Sequence, residues 1–253
     1  MKLDRVTAIR THLFTKGFSS VVEIAEAVGV SEPTVRRDLM ELEAAGVVTR
    51  SHGGARIAEG SGAEVAFEAR EQINLVAKRA IGEAAYQMLR PDTAVFLDAG
   101  TTVLQLARRL RLNPMPLRVF TNCLAVAQLL IPVDGVSVTL LGGVVRPQNA
   151  SMVGMLAEEA LERLWFDQLF LGVGAIAETG EVSSADDQEA RLNGRMLGRA
   201  ARVVVLTDAA KFGLRLTYRV GLLGRGMQIV TDAMAPDWHQ RLADWGCDVQ
   251  VVA

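Results

Sequence analysis

The stretch VSEPTVRRDLMELEAAGVVTRSHGGA, from Val30 to Ala55, decides the fold of the first part of this chain. Ser31 is predicted to be the N-cap of a helix, because its hydroxyl can accept a hydrogen bond from an unpaired N–H of the first turn. Val35, Leu39 and Leu42 then recur at the spacing of one buried helical face. The stretch therefore predicts a sharply capped amphipathic helix.

The other side of this helix is basic. Arg36 and Arg37 follow Thr34 near the helix start, which is where a helix-turn-helix module presents its recognition element to the major groove. A lone pair of arginines is more often a solvated surface than a DNA contact, so the neighbouring elements have to support the interpretation.

Two helices are predicted before it and a wing after it. Val21–Val28 is a short helix that Gly29 joins to the basic one, and Gly46 can end the basic helix in the left-handed C′ position. The segment Arg5–Lys16 is a helix whose apolar face is formed by Val6, Ile9, Leu13 and Phe14. Residues 47–50 and 55–57 are predicted strands joined by Gly53 and Gly54, and this wing carries Arg50, His52 and Arg56.

This ordered set predicts a winged helix-turn-helix domain over residues 1–57 that binds double-stranded DNA. The formal net charge of the whole chain is −2, which excludes a nonspecific nucleic-acid coat, since such proteins are strongly basic. A localised arginine cluster in a homo-oligomer, a dimer or larger, fits this charge, because two half-sites then share the binding.

Composition predicts a soluble cytoplasmic protein. Cys123 and Cys247 lie far apart in apolar surroundings, as buried thiols do in a reducing compartment. The N-terminal residues lack the apolar run of a signal peptide, and no apolar run is long enough for a membrane span. No metal-ligand cluster is visible, so we expect no metal and no cofactor.

A linker is predicted at residues 58–65, AEGSGAEV, and an α/β domain for effector sensing and oligomerisation at 66–253. Phe67–Leu89 is predicted as one long helix whose buried face is Ile73, Val76, Ala80, Ile81, Ala84 and Met88. Short apolar runs, typical of parallel strands buried on both faces, follow at 94–97, 118–121, 136–141, 168–172, 203–206 and 227–230. Helices separate most of them, at 101–111, 123–130, 155–164, 189–200 and 236–245, so the fold class is α/β with a mostly parallel sheet.

The segment after the first of these strands is a candidate phosphate cradle. Gly100, Thr101 and Thr102 open a helix there, and its free N–H groups suit an anion. An ordinary capped turn explains the segment equally well. Asp98 would repel a phosphate, and we assign it to a sugar hydroxyl or to bracing the N–H groups of the loop.

Four further strands also end in glycine or polar residues. The carboxyl ends of parallel strands meet at one edge of the sheet, where ligands bind, and such endings suit a small anionic polyol. Arg146 and Lys211 add positive charge, although either residue alone is most often a surface cation. The residues at these ends are Thr121, Asn122, Gly142, Gly143, Arg146, Gly172, Gly174, Asp208 and Lys211.

The chain also resembles a known family. The run VSEPTVRRDL followed by LEAAGVVTRSHGGA is similar to the N-terminal signature of the DeoR family of bacterial transcriptional regulators. The blocks LDAGTT, FTN, LLGGVVRP, MVG, FLGVGAI and TDAAKFG resemble, in this order, the sensor domain of these regulators. The resemblance covers roughly residues 3–232.

The resemblance implies contacts on both domains. Thr34, Arg36 and Arg37 would meet DNA from the recognition helix, with Ser31 at its start, while Arg50 and His52 would lie on or near the wing. The sensor domain would have the fold of sugar-phosphate isomerases and CoA-transferases and bind phosphorylated sugars or related metabolites. The residues implied to face the effector are Asp98, Gly100, Thr101, Thr102 and the strand-end residues named above.

Three positions depart from the family pattern. Ala175 and Ala177 stand where family members commonly carry a glycine and an aspartate, and Asn193 stands where a lysine is usual. Glu189, in the same region, is kept. The departures leave the type of effector open.

Two classes of function compete for this chain. One is a repressor of a carbohydrate-metabolism operon that a phosphorylated sugar releases from its operator. The other is a sugar-phosphate isomerase-like enzyme with an N-terminal helical extension, which needs a positioned general base. The acidic cluster of Asp186, Asp187 and Glu189 is typical of a solvated helix start instead, and a DNA-binding module has no role in an enzyme. A Rossmann protein is set aside because no GxGxxG motif follows a strand. We therefore predict a regulator and not an enzyme.

Overall fold

A computed structural model describes residues 2–44, 47–51, 53–57, 67 and 70–252 of the chain. These residues belong to two compact units, Met1–Glu68 and Ala69–Ala253. The predictions made for Gly46, His52 and the linker 58–65 lie outside the described residues.

The first unit contains three helices and a small sheet. Its helices are α1 (Lys2–Lys16), α2 (Val21–Val28) and α3 (Glu32–Ala44), and its strands are β1 (Ser19–Ser20), β2 (Val48–Ser51) and β3 (Gly54–Ile57). Gly29 ends α2 in the left-handed conformation, with φ +70°. The predicted helices and wing are therefore confirmed.

The core of this unit is formed by the apolar faces of the three helices. Ile9, Leu13, Val35 and Leu39 are fully or almost fully buried, as the helical spacing predicts. The prediction for Phe14 is wrong, because its side chain is 83% exposed. Leu13 already occupies the inward position, and the next residue is rotated by about 100° around the helix.

The wing is part of a three-stranded sheet in the order β1-β3-β2, which the sequence did not predict. Ser19 pairs with Ala55, and Ser20 pairs with Gly54. A Cβ atom at Gly54 would lie 2.4 Å from the carbonyl oxygen of Ser19, so only glycine permits this approach. Two serines before α2 carry no apolar alternation, and β1 was therefore not recognisable.

The second unit alternates strands and helices. Its helices are α4 (Leu75–Gln87), α5 (Thr101–Leu112), α6 (Leu124–Leu130), α7 (Met155–Glu162), α8 (Asp187–Leu197) and α9 (Pro236–Asp244). Its strands are β4 (Ala94–Leu97), β5 (Leu117–Thr121), β6 (Val136–Leu140), β7 (Val144–Arg146), β8 (Ser151–Val153), β9 (Phe166–Gly172), β10 (Ala175–Ile176), β11 (Glu181–Ser184), β12 (Ala200–Leu206), β13 (Tyr218–Leu222), β14 (Gln228–Thr231) and β15 (Asp248–Val251). Two 3₁₀ turns follow β7 and β12, at Pro147–Asn149 and Ala209–Lys211.

The main sheet has seven strands in the order β15-β14-β12-β9-β4-β5-β6, and all six neighbouring pairs are parallel. The predicted α/β class and its six apolar strands are confirmed. The edge strand β15 was missed because its residues alternate between polar and apolar. Two small antiparallel sheets, β10-β11-β13 and β7-β8, were also missed, since short strands give weak patterns.

The predicted single helix Phe67–Leu89 is wrong, because residues 73–74 form a turn before α4 begins. Asn74 has the left-handed conformation, with φ +55°, which a continuous right-handed helix does not permit. Because of this turn, the residues of α4 do not face the directions that one continuous helix predicts. Ile73 is 60% and Val76 is 83% exposed, whereas Lys78 is buried.

The strands β4, β9 and β12 lie at the centre of the sheet and end at the same edge. Asp98, Gly172 and Thr207 stand at or just after these ends, where parallel α/β sheets bind ligands. None of the helices in the described part of the chain is both long and apolar enough to cross a membrane.

Candidate functional site

The recognition helix α3 presents its basic side to solvent. Arg36 and Arg37 are exposed, and Thr34 is half-buried. The carbonyl of Ser31 accepts from the N–H of Val35 at 3.1 Å, so this serine stands at the N-cap position. Its hydroxyl lies 2.9 Å from the hydroxyl of Thr34.

Two of the predicted DNA-binding arginines have acidic neighbours. Arg36 forms an ion pair of 2.9 Å with Glu32, and Arg50 one of 3.4 Å with Glu43. Exposed pairs of this kind contribute only about 0.2–1 kcal/mol, so a phosphate can replace the glutamate at little cost. The guanidinium of Arg37 has no hydrogen bond or ion pair within the described ranges.

Asp38, which follows Arg37 in α3, holds this helix against α1. Asp38 is fully buried and accepts two hydrogen bonds from Arg5 of α1, at 2.6 and 3.0 Å. This bidentate pair joins the first helix to the recognition helix. It therefore sets the position from which Arg36 and Arg37 project.

A cavity of about 320 Å³ lies within the second unit, at the carboxyl ends of the central strands. Eight of the predicted effector residues line it: Gly100, Thr101, Thr102, Arg146, Gly172, Gly174, Asp208 and Lys211. The assignment of these residues to an effector stays a prediction.

The start of α5 forms one wall of this cavity. Leu104 donates to the carbonyl of Gly100 at 2.9 Å, and this is the first hydrogen bond of the helix. The N–H groups of residues 101–103 consequently have no helical partner and carry the positive end of the helix dipole. A Cβ atom at Gly100 would meet only the Cα of Gly172, at 3.8 Å, so the protein itself leaves room at this point.

Asp98 lies behind the wall and does not line the cavity. Its Oδ2 accepts from the N–H of Gly172 at 3.2 Å, which is the second of the two roles expected for it. Burial raises the pKa of Asp98 well above its usual value, and the charge of Glu189 raises it further. The carboxyl group therefore braces the glycine loop of β9.

Four other predicted effector residues are also outside the lining of this cavity. Thr121 and Asn122 are buried and bond the backbone: the threonine hydroxyl donates to Leu97 at 2.6 Å, and the asparagine oxygen accepts from Ala99 at 3.1 Å. Gly143 has φ +146°, and a Cβ there would lie 2.6 Å from the carbonyl oxygen of Val153. Gly142 is exposed beside it. Backbone contacts explain Thr121, Asn122 and Gly143 without a ligand.

The structure adds a wall that the sequence did not predict. Arg70, Asn74 and Lys78 line the cavity before and within α4. Lys78 donates to the carbonyl of Arg70 at 2.6 Å, and Asn74 donates to Asp208 at 3.4 Å. Burial lowers the pKa of both Lys78 and Arg70. The continuous-helix prediction placed Val76 on the buried face instead, which hid this lysine.

Arg146 is neutralised by two carboxylates. It lies 2.8 Å from Glu189 and 3.1 Å from Asp186. Glu189 also accepts hydrogen bonds from Ser151, Ser184 and the side chain of Asn149. The prediction that this acidic cluster is solvated is wrong for Glu189, which is buried at the wall, and holds for the exposed Asp187.

Lys211 differs from Arg146, because the structure gives its ammonium no ion pair within the described part of the chain. The carboxylate of Asp208 nearby accepts from the N–H of Ala210 at 3.1 Å and so caps the short 3₁₀ turn that carries Lys211. Lys78 and Lys211 are close enough to lower the pKa of Lys78 by repulsion. At this part of the cavity, no carboxylate among the described residues forms an ion pair with Lys78 or Lys211.

The departures from the family pattern fall at two places. Ala175 and Ala177 are buried around β10 and do not line the cavity, whereas Asn193 of α8 does. The Oδ1 atom of Asn193 is buried and has no hydrogen-bond partner among the residues that the structure describes. Among the described residues, no group of three His, Cys, Asp or Glu side chains can hold a metal ion.

A winged helix-turn-helix joined to an α/β unit with an open cavity defines the class of ligand-responsive DNA-binding regulators. Comparison with known proteins agrees with this class. Residues 5–60 match the DeoR-like helix-turn-helix domain, and residues 73–233 match the DeoR C-terminal sensor domain. The chain belongs to the DeoR family of DNA-binding transcriptional regulators.

Relatives match over most of their length. The putative aga operon transcriptional repressor of Escherichia coli O157:H7 is 34% identical over 98% of this chain and 93% of its own. The lactose phosphotransferase system repressor of Streptococcus mutans is 33% identical over 96% and 97%. The regulator GlpR of Haloferax volcanii is 39% identical over 78% and 76%.

Among solved structures, ribose 5-phosphate isomerase A from Neisseria gonorrhoeae is similar to the chain. The TM-score is 0.42 with 13% identity, over 58% of this chain and 56% of the isomerase. That score is too low to support a conclusion about function, and the expected likeness to CoA-transferases stays a prediction.

Proposed function

We propose that this regulator represses genes of carbohydrate metabolism and that a phosphorylated sugar releases it from its operator. The observation that carries the proposal is the cavity, which is lined by the start of α5 and by Lys211, whose ammonium has no ion pair among the described residues. Free N–H groups and a cation together suit a phosphate, and the remaining polar wall suits sugar hydroxyls. Three relatives whose names describe them as repressors or regulators also support a role in repression.

In this proposal, Arg36 and Arg37 contact the operator from the major groove, and Arg50 binds the backbone from the wing. Phosphate contacts position such a module, and base contacts give it specificity. A homo-oligomer presents two recognition helices to two half-sites. We place the protein in the cytoplasm, where DNA and phosphorylated sugars are both present.

Release follows from a population shift. The effector must bind the arrangement that leaves the operator more tightly than the arrangement that holds it. The chain from the cavity wall at Arg70 runs directly back into residues 58–69, so ordering of this wall can change the spacing of the two recognition helices.

The test measures operator binding and effector binding in one preparation. Fluorescence anisotropy of the purified protein would compare DNA from upstream of its own gene with scrambled DNA of equal length, over a range of salt concentrations. Hexose and pentose phosphates would then be added to the complex. We expect preference for the upstream DNA and release by at least one sugar phosphate. Equal binding to both DNAs, or no release across the panel, contradicts the proposal.

A further inference from the structure

Four large apolar side chains are exposed where β7 lies beside the start of α7. Val144, Val145, Met155 and Leu156 are each more than half exposed. The two elements adjoin, since a Cβ atom at Gly154, the N-cap of α7, would lie 3.8 Å from a methyl group of Val144. Contiguous apolar surface of this kind marks a site of interaction with another molecule. We call these four side chains the β7–α7 surface.

The strand β7 also has an open backbone edge. Val145 lies opposite Met152 of β8, whose N–H donates away from β7, to the carbonyl of Asn122 at 2.7 Å. Opposite residues of an antiparallel ladder either bond each other or both direct their backbone groups outward, so the N–H and C=O of Val145 point away from β8. No other strand pairs with β7 in the described part of the chain. An apolar edge of this kind is a template for pairing with another chain.

The exposed face of α7 continues from its apolar start into two opposite charges. Glu159 and Arg163 are exposed, and neither has an ion pair within the described ranges. In contrast, Glu158 and Glu162, on the neighbouring face, both pair with Arg195 of α8. When two copies of α7 run antiparallel across a two-fold axis, the glutamate of each copy faces the arginine of the other. The charges on this face are therefore complementary to a second copy of the same helix.

We propose that the β7–α7 surface joins two copies of this chain. The β7 strands pair antiparallel about a two-fold axis, with Val145 opposite Val145, and the sheet that results has the order β8-β7-β7-β8. A two-fold axis brings each patch against itself, and the open edge, the apolar side chains and the charge pair all satisfy this requirement. The inference rests on the proposed function and names the surface by which two recognition helices are presented to two half-sites.

The experiment uses the full chain and two kinds of variant. Val145→Lys places a charge at the open edge and removes an apolar side chain, and Ile131→Lys is its matched control, since Ile131 is equally exposed but follows α6. Glu159→Arg, Arg163→Glu and the double variant with both changes test the charge pair. None of these residues lines the cavity, so effector binding serves as a check that each variant is folded.

Sedimentation equilibrium would give the mass and the dissociation constant of each protein over a range of concentrations. Fluorescence anisotropy would give their affinity for DNA from upstream of the protein's own gene. We expect Val145→Lys to raise the dissociation constant between copies by roughly tenfold or more and to weaken operator binding, while Ile131→Lys changes neither.

Each single charge variant should also weaken the association, because like charges then face each other across the axis. The double variant Glu159→Arg, Arg163→Glu should restore it, since the pair is complementary again with its signs exchanged. This recovery does not depend on the stability of β7. If Val145→Lys does not fold, the charge series therefore decides the question.

Three results would overturn the inference in different ways. A natural protein with the mass of one copy, at concentrations that saturate the operator, has no such interface, although release by a sugar phosphate can still be measured. Unchanged association in both Val145→Lys and Glu159→Arg shows that the copies join through another surface, while the proposed function stands. A double variant as weak as the single ones shows that α7 does not face its own copy. Equal binding to upstream and scrambled DNA contradicts the proposed function instead, whatever the mass.

Discussion

The guanidinium of Arg146 donates a hydrogen bond of 2.8 Å to the carboxylate of Glu189 at the wall of the cavity. The two charges neutralise each other, and Asp186 adds a second carboxylate at 3.1 Å from the arginine. An anionic effector thus meets little free positive charge at Arg146. The charge available to it lies at Lys78, Lys211 and the start of α5.

Glu189→Gln should destabilise the second unit by about 2 kcal/mol, because hydrogen bonds to a charged acceptor become neutral ones. Urea denaturation would measure the free energy of unfolding. Asp187→Asn in the same helix is the matched control, since its pair with Arg191 is exposed on both sides and worth only about 0.3–0.5 kcal/mol. Equal losses in the two variants would show that the buried cluster is not stabilising.

Arg36→Ala and Arg37→Ala should each weaken operator binding, by about 1–3 kcal/mol where the lost contact is to a base. Where the contact is to a phosphate, the slope of the logarithm of the binding constant against the logarithm of the salt concentration should instead become smaller by about one. Anisotropy titrations at several salt concentrations distinguish these cases. Arg10→Ala, an exposed arginine of α1, serves as the control. Unchanged operator affinity in both α3 variants would exclude this face as the DNA contact.

Gly100→Ala should keep the stability of the protein, within about 0.5 kcal/mol, and lose effector affinity. The new methyl group meets only Gly172 at 3.8 Å, but it occupies space that a phosphate needs beside the backbone. Gly143→Ala should behave in the opposite way. Its φ of +146° and the carbonyl oxygen of Val153 at 2.6 Å leave no room for a side chain. Thermal unfolding and ligand titration of both variants check the contrast, and a Gly100→Ala variant with full affinity contradicts it.

Asp98→Asn should flatten the pH dependence of stability of the second unit. The pKa of Asp98 is raised by burial, so the folded state binds its proton more tightly than the unfolded state does. The stabilisation that protonated Asp98 contributes is fully present below its pKa in the unfolded state, and it is lost as the pH rises through its pKa in the folded state. The unfolding midpoint of the natural protein should therefore rise relative to that of the variant as the pH falls from neutral toward 4. Parallel midpoints across this range would contradict the raised pKa.

The sequence predicts the main elements because their patterns are local. Capping, the glycine turn and apolar spacing locate α2 and α3, and uninterrupted apolar runs locate β4 and β9. The same patterns predict that glycine and polar residues meet at the strand ends. Eight of these residues line the cavity, since parallel strands bring their carboxyl ends to one edge.

The rest depends on contacts between distant segments. The turn at Asn74 changes the helical phase, and no residue pattern marks it, so Lys78 and Arg70 were not recognised. Asp98 and Asn122 look like ligand residues in sequence, but bonds to the backbone of other strands occupy them. Pairing of Arg146 with Glu189 joins residues more than forty positions apart, and only the fold shows that this charge is already used.

Gly82 of α4 lies against the backbone of α5, where a Cβ atom would come within 2.8 Å of Gln105. One of these helices carries Lys78, and the other begins at Thr101. Replacement of this glycine by larger residues would push these two walls of the cavity apart without changing any residue that lines it. If the proposed function holds, a graded series of side chains here should change the effector concentration at which the regulator leaves its operator, and this helix crossing would then be a position for engineering biosensors with chosen thresholds.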